Sequence, residues 1–185
     1  MCPSRLSFRS LLAVGLFLAL PATAAAQRPS GSSPGWLPAQ AGLHMGYDNN
    51  ANATVVGAQL RVPVIPTGHV ELLPSSDVTF LPGLKEYQLN ADAVFVTGGR
   101  SGGLYGGGGL ALRNSIFTGG GERETRSGAN VVVGLTTRGR LGGVPMGIQL
   151  EGRWVFLDAE FDPRLFTFGV NLPLWGWGSR DGGRF

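Results

Sequence analysis

From Trp36 onward the chain alternates apolar and polar residues with a period of two, the repeat of a β-strand whose faces meet different surroundings. The clearest run is MGIQLEGRWVF, where Met146, Ile148, Leu150, Trp154 and Phe156 share one face and Gly147, Gln149, Glu151 and Arg153 the other. Between Tyr87 and Phe95, Tyr87, Leu89, Ala91, Ala93 and Phe95 oppose Gln88, Asn90 and Asp92. The same rule predicts strands over Ala39–Asp48, Thr54–Val62, Ala129–Arg138 and Leu165–Trp175, with Gln40, His44, Asp48, Gln59, Arg61, Asn130, Thr136, Arg138 and Asn171 on their polar faces. A strand over His69–Phe80 is the weakest, because Pro74 predicts a bulge or an early end. With Gly103–Ser115 as the fifth in order, the chain holds eight strands of roughly 9–11 residues and no helical pattern. Strands of that length cross a bilayer at a tilt.

The connectors sort by end. In a closed barrel those after odd strands lie together, and the longest and most charged, Ser115–Gly128, is one of them. Within it, GGGERETRS (Gly119–Ser127) reads as a solvated tip, with capture of a surface ligand as the alternative. At the other end fall the shorter, glycine-rich Thr97–Gly102 and Arg138–Val144. Asn49–Ala53 departs from the trend, being short at the end of long connectors.

The first 26 residues have a different character. Arg5 and Arg9 precede the apolar run LLAVGLFLAL, and Ala24-Ala25-Ala26 offers a cleavage site, so residues 1–26 are expected to be a signal peptide. The lone cysteine, Cys2, lies ahead of the apolar run, where a lipoprotein anchor would not stand. Residues 27–35 (QRPSGSSPG) form a linker, 36–175 the barrel and 176–185 a tail. Without Arg5 and Arg9, 13 basic residues face 12 acidic ones, and only Lys85 is a lysine. No basic stripe is present, which argues against a nucleic-acid partner.

Alternation alone leaves the direction of the apolar face open. A secreted, lipocalin-like barrel turns it inward around an apolar ligand; a membrane barrel turns it toward lipid. Three features favour lipid. The polar face mixes Gly, Gln, Asn and Thr with opposed charges, Arg61, Arg113, Arg138 and Arg153 against Glu71, Asp92 and Glu151, a composition for a narrow filled lumen. One lysine is too few for a water-facing surface. Aromatics gather toward strand ends, among them Tyr47, Tyr87, Tyr105, Trp154 and Trp175, where membrane interfaces would lie.

On the leader, the strand count and the closing strand LFTFGVNLPLW, the chain resembles the small eight-stranded outer-membrane β-barrel proteins, the OmpX-like and OmpA-transmembrane-like superfamily. The resemblance covers about Trp36 to Trp175. It implies an all-β, eight-stranded antiparallel up-and-down transmembrane barrel in the outer membrane; the leader, the alternation and the lysine-poor polar face favour a structural or surface-interaction role without catalysis. It implies outer-membrane lipids as surroundings and the barrel-assembly machinery as a partner during biogenesis. One departure is that GWGSRDGGRF follows Trp175, so either Trp175 or the terminal Phe185 would end the assembly signal.

Candidate chemistry is sparse. Gly106, Gly108 and Ala111 in GLYGGGGLALRNS spell G-x-G-x-x-A, yet no helical period follows, so a dinucleotide site is not expected. As strand five, its glycines read as clearance for bulky interior neighbours such as Arg153 or Gln88, or as aids to coiling. Neither a cofactor nor a metal is expected, the histidines being only His44 and His69. A lipid-modifying enzyme using His44 with Ser115 or Ser127 and Asp48 is the catalytic alternative. The strongest polar group is Glu151, Arg153, Asp92 and Gln149. Together with Arg61, Arg113 and Arg138 it is expected to fill the lumen, while Tyr47, Tyr87, Trp154 and Trp175 mark the interfaces.

Overall fold

The computed structural model describes residues 36–117, 123–157 and 162–174. The expected signal peptide and linker, the tail, and the aromatics Trp175 and Phe185 lie outside the described residues. The strands are β1 (Gln40–Asp48), β2 (Ala53–Pro63), β3 (Val70–Leu81), β4 (Leu84–Val96), β5 (Gly102–Phe117), β6 (Arg123–Thr137), β7 (Gly139–Leu141), β8 (Val144–Leu157) and β9 (Arg164–Pro173). Every neighbouring pair is antiparallel, β6 pairs with β8, and β9 returns to β1, so eight long strands close a barrel. β7 is a three-residue continuation of β6 that pairs only with β8.

Closure fixes the tilt. Ala39 sits one step beyond the Gln40–Arg61 pair, opposite Val62, and from Val62 the register runs through Leu72, Ala93, Gly108, Val131, Trp154 and Arg164. The carbonyl of Arg164 then accepts from the Asn49 amide, so one circuit advances ten residues along the first strand. A stagger of that size in eight strands requires a tilt of roughly 40° and leaves an interior just wide enough for side chains to fill.

The two faces are inverted relative to a water-soluble barrel. Leu43 and Leu110, 74% and 72% exposed, point outward, with Met45, Leu104, Val133, Leu150, Phe166 and Phe168 also exposed there. Arg61 and Glu71, at 0%, point inward with Asp48, Asp77, Asp92, Asn130, Gln149 and Arg153. A barrel with such an apolar jacket is built to sit in lipid. The interior is not uniformly polar: Leu73, Val94, Val96, Tyr105 and Val132 form one buried cluster, and Ala111, Val155 and Leu157 a second.

Several sequence expectations change. Pro74 neither bulges nor ends β3, which runs twelve residues through it. Register against β2 is the same on both sides, Gln59–Ser75 and Val62–Leu72; only the ladder bonds beside the proline, which has no N–H to give, are lost. Ser115–Gly128 is mostly strand: β5 continues to Phe117, and Arg123–Gly128 belongs to β6. The rest of GGGERETRS lies outside the described residues. The Arg138–Val144 connector is itself a ribbon, turned by Gly142 and Gly143 at φ 59° and 86°, values open mainly to glycine.

Candidate functional site

The barrel interior holds nearly every charged or amide side chain singled out in the sequence, in three levels. Connections β1–β2, β3–β4, β5–β6 and β8–β9 define the loop end; the described chain begins and ends at the other, the terminus end.

At the terminus end, Arg61 Nε donates to Glu71 Oε2 at 2.9 Å, with Nη2 at 2.8 Å from the same oxygen. Arg138, just past β6, takes the other Glu71 oxygen and donates to the Gly99 carbonyl at 2.5 Å. Burial, with Arg61 adding like charge, lowers the Arg138 guanidinium to about 10, so it is charged at neutral pH. Above Arg61 the amides close a ring. Gln149 Nε2 donates to Gln59 Oε1 at 2.8 Å, Gln59 Nε2 to Asn171 Oδ1 at 2.9 Å, and Asn171 Nδ2 to Gln149 Oε1 at 3.0 Å.

Mid-barrel, Arg153 lies between two carboxylates. Its Nε and Nη2 donate to Glu151 Oε1 at 3.1 and 2.9 Å, while Nη1 sits 2.9 Å from Asp92 Oδ2 as a charge contact without hydrogen-bond alignment. Glu151 Oε2 accepts the Tyr105 hydroxyl at 2.7 Å, and the Arg61 guanidinium stacks 4.5 Å from the centre of the Tyr105 ring. Tyr105 is therefore an interior residue, 2% exposed, rather than one of the interface aromatics its position near a strand end predicted. On the far wall His44 Nε2 is hydrogen-bonded to Asp77 Oδ1 at 2.5 Å, and Asn90 Nδ2 donates to Asp77 Oδ2 at 3.0 Å.

Glycines on neighbouring strands make these polar groups fit. A Cβ on Gly134 would lie 2.6 Å from the Tyr105 hydroxyl, and one on Gly109 2.5 Å from Asp92 Oδ1. Clearance in the glycine run thus goes to Asp92, the partner of Arg153, and to the backbones of β4 and β6.

At the loop end Arg113 Nη1 donates to Gln88 at 3.2 Å; Nη2 pairs with Glu86 and lies 3.4 Å from Asp48. Asp48 Oδ1 also accepts the amides of Asn50, Ala51 and Arg164. Over this cluster opens a cavity of about 260 Å³, bordered by Asn50, Ser115, Arg126 and Leu157. The candidate catalytic set is not assembled: His44 faces Asp77, Ser115 donates to Glu86 at 2.9 Å, Ser127 is exposed, and Asp48 serves Arg113. Among the described residues no three His, Cys, Asp or Glu side chains are grouped to hold a metal ion.

Tyr47, Tyr87 and Trp154 point outward, each within three residues of the loop end of its strand, beside Phe80, Phe156 and Phe166. Trp154 meets Phe166 edge-on, 6.3 Å between ring centres.

Among solved structures, the chain is similar to the N-terminal β-barrel domain of Pseudomonas aeruginosa OprF, with a TM-score of 0.54 and 14% identity over 74% of this chain and 96% of that one. The fold is that of a small outer-membrane β-barrel. Neisserial surface protein A is also similar, with a TM-score of 0.49 and 15% identity over 73% of this chain and 95% of that one. No family model matches the sequence, and no curated protein matches it closely. Asp77, Glu86, Gln59 and Asn171 are interior partners that sequence reasoning did not single out as site residues; their even spacing from neighbouring inward residues was the available signal.

Proposed function

We propose that this chain is an integral outer-membrane protein with a structural or surface-interaction role rather than a catalytic one. The observation that carries the reading is the inverted barrel: exposed leucines outside, fully buried Arg61 and Glu71 inside. In water such a surface would aggregate; in lipid it is solvated. Residues 1–26 act as the export signal, and the barrel-assembly machinery inserts the chain, with Trp175 or Phe185 ending the recognised strand. Tyr47, Tyr87, Trp154 and Trp175 anchor the barrel at the two interfaces, where a ring is apolar and its polar atom reaches water.

The network of Arg61, Asp92, Arg113, Arg138, Gln149, Glu151 and Arg153 plugs the lumen and holds register instead of conducting solutes. An interior built of ion pairs also suits an apolar ligand poorly, which disfavours a lipocalin-like role. Two measurements test the proposal. After expression with its leader, the protein should sediment with outer membranes and show heat-modifiable migration; recovery as a soluble periplasmic protein would overturn it. In planar bilayers the purified barrel should give no sustained conductance, and a steady open channel would refute the plugged lumen.

A further inference from the structure

The ribbon formed by β7 and the start of β8 extends the barrel wall at the terminus end. β6–β8 and β7–β8 share one register: Thr136 pairs with Gln149, Gly139 with Met146 and Leu141 with Val144. One hairpin therefore continues past the barrel rim, interrupted only at Arg138. Ladder pairing with its neighbours ends earlier. β5 begins at Gly102, opposite Thr137, and pairing of β8 with β9 ends at Gly147–Asn171. The Arg138 amide still donates to the Ser101 carbonyl and β9 runs on to Pro173, so three residues of β-arm, Gly139 to Leu141, project past the start of β5 by roughly 8 Å along the barrel axis, given about 3.3 Å per residue and the tilt.

The projecting arm is amphipathic, and its faces follow from strand alternation. Leu141 and Val144, 67% and 39% exposed, lie on the same face as Leu135, Ile148 and Leu150, the outer apolar surface. Arg138 and Arg140 fall on the opposite face, with Arg138 turned to Glu71 inside the mouth. The lipid-facing surface therefore runs on past the rim along this one ribbon, while the basic face stays toward the axis.

We propose that this ribbon is a membrane-contacting keel, its Leu141–Val144 face resting on phospholipid of the leaflet at the terminus end. The inference builds on the reading of the barrel as lipid-embedded and adds a specific contact to it. Continuity with the lipid-facing surface selects lipid as the occupant, since a soluble partner would have no need of a face merging with the barrel's jacket. Depth follows from position along the axis. The ribbon lies past the start of β5 and carries Arg138 and Arg140 on its inner face, and charged side chains are cheap only toward the membrane surface. The ribbon accordingly lies at the glycerol and headgroup level, with its two apolar side chains dipping toward the acyl chains.

The test uses the full chain with Cys2→Ser, reconstituted in phosphatidylglycerol–phosphatidylethanolamine vesicles. A fluorophore is placed singly at Leu141→Cys, Val144→Cys, Leu150→Cys and Pro82→Cys, and quenched either by lipids spin-labelled at successive depths or by aqueous iodide. The keel predicts that Leu141 and Val144 are quenched most by labels near the glycerol, while Leu150 is quenched by deeper ones and the exposed Pro82 position by iodide. Iodide quenching at both ribbon sites with lipid quenching at Leu150 would overturn the keel and leave the membrane reading standing. Iodide quenching at Leu150 would overturn both. Protection of the ribbon sites from lipid and iodide alike would mean that protein covers them, and would also refute the keel.

Discussion

Arg61–Glu71 and Arg113–Glu86 are the same chemistry at opposite ends of one lumen, yet their surroundings differ in kind. Side chains of Arg61 and Glu71 are 0% exposed, roofed by the amide ring and by Tyr105. Arg113 lies on the floor of an open cavity, and its partner Glu86 keeps 15% of its side chain exposed. A guanidinium–carboxylate contact is thus a structural element where water is shut out and a modest surface interaction where water enters. The difference teaches that sealing of the barrel, rather than the number of its ion pairs, decides which of them hold it together.

The most severe test removes one member of the sealed pair. Arg61→Met leaves Glu71 in a dry interior with only Arg138 beside it, and breaking a buried pair this way costs about 3–5 kcal/mol. Urea unfolding of the barrel in detergent micelles, followed by loss of heat-modifiable migration, should show an unfolding free energy lowered by that amount. The double variant Arg61→Met, Glu71→Gln should recover none of it, because the half-buried Arg138 guanidinium then loses its carboxylate. Little loss in the single variant would mean that water reaches this level, erasing the distinction between the ends.

Next in size is the space that lets the closed half close. In Gly134→Ala the new methyl meets both the Tyr105 hydroxyl and the Leu150 carbonyl, so the phenol must leave Glu151 or the β6–β8 ladder must shift. Overpacking of this kind costs about 1–3 kcal/mol. Gly139→Ala supplies the contrast: nothing lies within 4 Å of its added Cβ, and its φ is ordinary, so the same unfolding assay should register almost no change.

Much of the contrast between outside and inside was legible in the sequence, and most of the contrast between ends was not. Period-two alternation marks Gln149, Glu151 and Arg153 against Ile148, Leu150 and Trp154 because a strand has only two faces. Alternation says nothing about which residues meet across a lumen. Pairing of His44 with Asp77 depends on the stagger of β1, β2 and β3 together, and Pro74 had made β3 look unreliable. Tyr105 was misplaced for a related reason. Its parity puts it with Arg113 on the inner face, but its nearness to a strand end suggested an interface; Gly134 on the next strand provides the room that decides the matter. The ribbon was hidden by Gly142-Gly143, which read as a loop although the two residues form a hairpin turn.

At the loop end a smaller effect is expected, and it should respond to salt. Arg113→Ala frees Glu86 into a cavity open to water, while Asp48 keeps its three backbone donors, so the loss should be about 1–2 kcal/mol, in the range of a charged hydrogen bond. Raising ionic strength should shrink the Arg113 contribution and leave that of Arg61 nearly unchanged, because screening acts only where ions can approach. Equal salt sensitivity at both positions would break the comparison from the other side.

The smallest effect should come from Arg126, on the cavity's rim. It donates to Glu124 at 2.8 and 3.0 Å, a well-formed bidentate contact, but the two side chains are 40% and 52% exposed. Solvent screening then leaves about 0.5 kcal/mol or less, and Arg126→Ala should unfold at the same urea concentration as the parent within error. Geometry alone would rank this pair with Arg61–Glu71, since its distances are as short. A loss in Arg126→Ala comparable to that in Arg113→Ala would show that bond geometry outweighs exposure at the mouth. An unchanged midpoint, beside a large loss for Arg61→Met, would place exclusion of water first.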